Sequence, residues 1–163
     1  MFKIKLLILF LISCLSISCA NKKSENIFKI SIAYIGGEYE GLILSNKLKG
    51  QLNNIGMLSE SSRYEVQANI SHSQNLYITN IDNTSDREQI DSYVDIKIFD
   101  KKLKCFTYEY NETVSQFYIL ASSDQFISNS VAVEEIKIEN TEYFVMSFIN
   151  SLTESSFVCG NEK

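Results

Sequence analysis

Proline and tryptophan are absent from the 163 residues, histidine occurs once and glycine six times. Without proline there is no proline-rich linker and no cis-prolyl turn. One histidine leaves no His pair, and no Cys-x-x-Cys accompanies it. That excludes a zinc site of ordinary ligand spacing. No Gly-rich loop joins a strand to a helix in a phosphate-cradling spacing, and Gly36-Gly37 reads as a turn. No serine sits in a nucleophile elbow. The lone His72 alternates with apolar positions, the pattern of a structural histidine, and Glu134-Glu135 read as a solvated helix face. The chain is therefore expected to have neither an enzymatic activity nor a cofactor. Basic charge is scarce as well: 15 Lys and Arg stand against 20 Asp and Glu. Cleavage after residue 18 would leave 13 basic and 20 acidic residues, a net charge of −7. Nucleic-acid binding needs basic surface, so it is excluded as a general function.

Long hydrophobic runs are also missing, apart from one short one at the start. Residues 6–12, LLILFLI, follow Lys3 and Lys5 and precede small residues. This is the order of an export signal, and the run is far below the roughly 20 residues of a membrane-spanning helix. A cysteine directly after small residues resembles the lipobox of bacterial lipoproteins, in which that cysteine is diacylated and becomes residue one. Cys19 follows Ser16-Ile17-Ser18 at a normal distance, and Cys14 follows Leu11-Ile12-Ser13. Cys19 is the expected lipidation site and Cys14 the alternative; an ordinary signal with incidental cysteines is the third reading. Ala20, rather than Asp, follows Cys19. By resemblance to lipoprotein sorting this favours the outer membrane, with the domain on the periplasmic side. Residues 1–18 are then the signal, 19–26 a lipidated tether, 27–153 one domain and 154–163 a frayed tail.

The domain reads as strand, helix, three strands, helix. Residues 27–35 are β-branched with few charges, predicting a strand buried on both faces. Leu44, Leu48, Leu52 and Ile55 recur at helical spacing from about Glu38, and Gly56 is placed for a left-handed cap. Residues 63–73 alternate, with Val66, Ala68, Ile70 and His72 on one face and Glu65, Gln67, Asn69 and Ser71 on the other. Residues 89–99 alternate likewise, residues 100–104 turn the chain, and residues 104–120 return as a long aromatic-rich strand with Asn111 as a bulge position. Ser122 with Gln125 signals a capping box, and Ile127, Val131, Ile138, Val145, Ile149 and Leu152 continue at helical period. The expected fold is α/β (α+β): a two-layer sandwich, a mixed four-stranded sheet with two helices on one face.

Candidate binding residues are few. Arg87 lies at a hairpin mouth among polar residues, and Lys101, Lys102 and Lys104 cluster at the next turn. Localised cations in an acidic protein suit phosphate or carboxylate groups, although turn lysines are also ordinary solubilising residues. Cys105 and Cys159, in an exported chain, either pair as a disulfide or remain as two thiols.

The ordered pattern resembles the LptE family of lipopolysaccharide-assembly lipoproteins, in its alphaproteobacterial form. Its carriers are the lipobox followed by strand and helix, then REQIDSYVDIKIFD at residues 87–100 and YEYNETVSQFYILASSDQFISNSVAVEE at residues 108–135. The likeness spans about residues 27–152. Two features depart from the family: Ala20-Asn21 stand where it usually has Gly and an aromatic residue, and residues 126–129 lack a second basic residue. The resemblance implies a lipoprotein that plugs the large outer-membrane β-barrel LptD, helps it assemble and aids lipopolysaccharide insertion into the outer leaflet. It carries Arg87 over as a lipopolysaccharide contact, and Lys101, Lys102 and Lys104 are further candidates. The expected partners are an LptD-like barrel, lipopolysaccharide and, through the N-terminal lipid, a membrane. The alternative function is a free-standing periplasm-facing lipoprotein that binds a small or lipidic ligand, and a lipoprotein hydrolase acting through His72 is a third.

Overall fold

The structure, a computed structural model, describes residues 28–78, 86–119, 126–155, 157 and 159. Cys14, Cys19, the tether and the Ser122 capping box lie outside the described residues. The elements are β1 (Ile30–Gly36), α1 (Glu38–Asn54), β2 (Tyr64–Ile78), β3 (Asp86–Asp100), β4 (Cys105–Ile119) and α2 (Phe126–Glu154). They form one four-stranded sheet in the order β1-β2-β3-β4. β1 runs parallel to β2, and the other two pairs are antiparallel. The mixed α+β sandwich expected from the sequence is the observed fold.

Both helices lie on one face. α1 buries Gly41, Leu44, Leu48 and Leu52, the i, i+4 stripe of its sequence. Gly37 precedes α1 with φ 110°, and a Cβ there would come within 2.4 Å of the Ile70 carbonyl oxygen. Only glycine makes this turn so close to β2. At the other end Gly56 (φ 70°) lets Met57 donate its amide to the Leu52 carbonyl. Ile55 belongs to this cap and is partly exposed, so the core stripe ends at Leu52. α2 buries Val133, Phe144, Val145, Phe148, Ile149 and Leu152. Val131, expected in that stripe, is half exposed. Beneath the helices lie Val66, Ala68 and Ile70 of β2 and Val94, Ile96 and Ile98 of β3. Burying each such large aliphatic side chain contributes about 1.5–3 kcal/mol.

Three details differ from the sequence reading. β1 is an edge strand with an irregularity between Ile32 and Ile35, and Tyr34 is 71% exposed, so it is not buried on both faces. The bulge of β4 falls at Thr107, opposite the Ile98–Phe99 step, whereas Asn111 pairs regularly with Asp95. The hairpin arms are also longer than expected: β2 continues to Ile78 and β3 begins at Asp86. β1 reaches only Asn69 of β2. The sheet therefore has a near end at Tyr64, Asp100 and Cys105, where four strands meet, and a far end where β2, β3 and β4 continue as a ribbon.

Candidate functional site

The face of the sheet away from the helices is built by the alternation that buries the other face. Register aligns Asn69, Asp95 and Asn111 across β2, β3 and β4, then Ser71, Tyr93 and Thr113, then Ser73, Asp91 and Ser115. Some of these side chains bond to one another or to neighbours on the same face, while Asp95 Oδ1 is buried without a hydrogen-bond partner. Asp91 accepts hydrogen bonds from Gln89 Nε2 (2.6 Å), Ser115 Oγ (2.5 Å) and Asn75 Nδ2 (3.3 Å). The Ser115 and Gln89 bonds favour the carboxylate and hold its pKa below the ordinary value. Tyr93 donates its hydroxyl to Asn111 Oδ1 (3.2 Å), and Lys97 stands 3.7 Å from both Asp95 and Glu109. The result is a half-exposed strip of hydroxyls, amides and carboxylates across three long strands. The polar positions 65, 67, 69 and 71 signal this face in the sequence, but the cross-strand partners depend on register.

The candidate cations are not brought together. Arg87 pairs in register with Tyr77 and Ile119 at the far end. Lys101, Lys102 and Lys104 occupy the turn at the near end, about 45 Å away along β3 at roughly 3.3 Å per residue. One headgroup cannot touch both. At the far end Arg87 is exposed beside Phe117 and Ile119, themselves 62% and 63% exposed. At the near end Asp100 is buried and binds Arg63 through both carboxylate oxygens. It also accepts the amides of Lys102 (2.8 Å) and Leu103 (3.1 Å), shaping the turn. The Arg63 bonds lower the Asp100 pKa to about 2, with the two turn amides adding to the effect. Lys101 lies 3.7 Å from Glu65 and donates to Ser31 Oγ (3.3 Å).

Cys105 and Cys159 are joined by a disulfide, with Cα atoms 5.8 Å apart. The last described residues are consequently packed on the domain. Phe157 stacks on Phe28 at 4.0 Å between ring centroids, and Phe28 in turn lies 4.1 Å from Tyr64. Frayed-tail behaviour does not apply to Phe157 or Cys159.

His72 meets Ser92 at 2.7 Å through Nδ1, and Asn140 of α2 donates to the same Ser92 oxygen at 2.8 Å. Gln116 Nε2 donates to Asn140 Oδ1 (2.6 Å), completing a polar layer between sheet and helix. Ser92 is fully buried. The His72–Ser92 contact therefore lies inside the domain, between the sheet and α2. Among the described residues no group of His, Cys, Asp and Glu could hold a metal ion. No described helix is long and apolar enough to cross a membrane. A groove of about 430 Å³ beside β1 is lined by Ser31, Ile32, Lys49, Leu58, Glu60, Glu65 and Lys101. Its charged wall suits neither an acyl chain nor a large apolar ligand.

No protein-family model matches the chain, and no curated protein matches it by sequence. Solved structures do match. The chain is similar to a minor lipoprotein from Acinetobacter baumannii, at 14% identity and TM-score 0.54, covering 80% of this chain and 95% of that one. It is similar to rare lipoprotein B from Shewanella oneidensis, at 9% identity and TM-score 0.55, covering 77% and 97%. A Caulobacter crescentus structure assigned as a lipoprotein matches at 16% identity and TM-score 0.53, covering 76% and 86%. At these identities the likeness establishes a shared fold.

Proposed function

We propose that this chain is a non-enzymatic lipoprotein, anchored through Cys19 on the periplasmic side of the outer membrane. It acts as an LptE-like plug inside an LptD-like β-barrel, which it helps to assemble for lipopolysaccharide transport. The observation that carries this reading is the helix-free sheet face. Three strands of 15 residues each present hydroxyls, amides and carboxylates there, and their hydrogen bonds hold them in place. The interior of a wide outer-membrane barrel is polar, and such a face can exchange hydrogen bonds with it without burying unpaired groups. The lipobox-like segment and a fold shared with lipoproteins support the same reading. Arg87 at the far end, flanked by exposed Phe117 and Ile119, is the lipopolysaccharide contact we assign: a guanidinium for phosphate beside apolar surface for acyl chains.

Purification of the tagged full-length protein from detergent-solubilised envelopes tests this. The expected result is one large outer-membrane barrel at equal stoichiometry, with an acylated Cys19 in the N-terminal mass spectrum. A photo-crosslinker at Thr113, on the open face, should capture that barrel. An acylated protein that elutes alone would overturn the plug and favour a free-standing ligand-binding lipoprotein.

A further inference from the structure

We propose that the β3–β4 turn, Lys101 to Lys104, is a second membrane contact that docks on the anionic phospholipid headgroups of the leaflet holding the lipid anchor. The proposal rests on the anchor reading above and adds a surface to it. Its basis is where the chain enters the fold. Phe28, the first described residue after the tether, lies against Tyr64 and Phe157. Tyr64 pairs with Asp100, the residue that opens the turn. The tether and the turn therefore leave the domain at the same end, and a lipid on the tether brings that end to the membrane.

The chemistry of the turn fits an anionic surface. All four of its residues are exposed, and Leu103, between two lysines, is 58% exposed. The neighbouring acids are already engaged: Asp100 by Arg63 and Glu65 by Lys101. Among the described residues Lys102 and Lys104 have no ion-pair partner. An acidic domain thus presents a local positive tip, held in shape by the two amide bonds to Asp100. A diacylated cysteine holds the domain at the surface; a basic patch is then drawn to anionic headgroups and can fix how the domain sits, while an apolar side chain can settle into the headgroup boundary. Arg87, at the opposite end, cannot share this contact.

The test separates the turn from the anchor. A chain of residues 20–163, exported behind an ordinary cleavable signal, carries no lipid yet keeps every described contact, since these begin at Phe28. It should sediment with phosphatidylcholine vesicles containing phosphatidylglycerol, not with phosphatidylcholine alone, and added salt should release it. Lys102→Gln with Lys104→Asn should weaken binding on the order of tenfold; asparagine tolerates the positive φ at residue 104. Lys47→Gln, on the helix layer and already paired with Glu142, should leave vesicle binding unchanged. Binding by the double variant equal to the parent, equal binding to both vesicles, or displacement by inorganic phosphate at matched ionic strength would each overturn the proposal. The mass of the mature N-terminus from cells judges the anchor separately: an unmodified Cys19 there would sink the anchor and leave the vesicle result to judge the turn.

Discussion

At its near end the sheet is closed by stacked rings and a disulfide; towards its far end the same sheet is closed by a chain of polar side chains. Phe28, Tyr64, Tyr108 and Phe157 gather where β1 begins, and Cys105–Cys159 fastens the tail that carries Phe157. Further along, His72, Ser92, Asn140 and Gln116 connect β2, β3 and β4 to α2. The two solutions have different physical consequences. Rings and a covalent link resist pulling and hold one geometry, which suits the end from which the proposed tether would leave. A hydrogen-bond chain adds little net energy per bond, about 0.5–1.5 kcal/mol, but tolerates only one register. The lesson is a division of labour: covalent and apolar closure fixes the end where β1 begins, and polar closure fixes how the long ribbon lies under its helix.

The largest expected effect breaks the covalent side of this comparison. Replacing Cys105 and Cys159 by serine frees a loop of sequence separation 54. The loss should be about 2–4 kcal/mol of unfolding free energy, measured by urea denaturation against the parent with and without reductant. Reductant should bring the parent to the variant's midpoint and leave the variant unmoved. Equal midpoints for all four samples would mean that the rings alone hold the near end.

The next effect breaks the polar side. Asn140→Ala removes the donor to Ser92 and the acceptor of Gln116, leaving a buried hydroxyl poorly satisfied. It should cost about 1–3 kcal/mol in the same assay, less than the disulfide. Amide exchange should also quicken in β3 around Ser92 before it quickens near Tyr64. A larger loss than that of the cysteine variant would reverse the ranking of the two ends.

The architecture was legible because it is written in short-range periodicity. Leu44, Leu48 and Leu52 announce α1, and the alternation of Val66, Ala68 and Ile70 announces β2 and its covered face. Asn140 was not legible in the same way, since a polar residue in a helical stripe looks like solvent surface until Gln116 and Ser92 are brought opposite it. Nor was the separation of Arg87 from Lys101, because the sequence shows two cationic points and only the straight run of β3 shows that they are at opposite ends. The tail illustrates the same limit. Phe157 follows polar residues, and its partner Phe28 is 129 positions away, so no local pattern joins them. β1 shows a related limit: its β-branched content suggests burial on both faces, yet it stands at the end of the sheet, where Tyr34 is left largely exposed.

The smallest expected effect probes the polar layer by pH. Burial lowers the His72 pKa below its ordinary 6.5; Glu40 opposes it, Lys137 adds to the lowering and Glu134 opposes it least. The folded chain therefore binds the imidazole proton less readily than the unfolded chain does. Stability should be full above about pH 6.5 and decline as pH falls towards the lowered folded value, because the unfolded state then takes up more protons. Asp100 does not confuse this window, since its own depressed value of about 2 places its contribution in far more acidic solution. His72→Gln can keep a bond to Ser92 and cannot titrate. In denaturation midpoints read from about pH 5 to 8, it should flatten the slope and leave the high-pH stability near that of the parent. An unchanged slope would assign the titration to another group, and the polar layer would then be only a packing device with no pH response of its own.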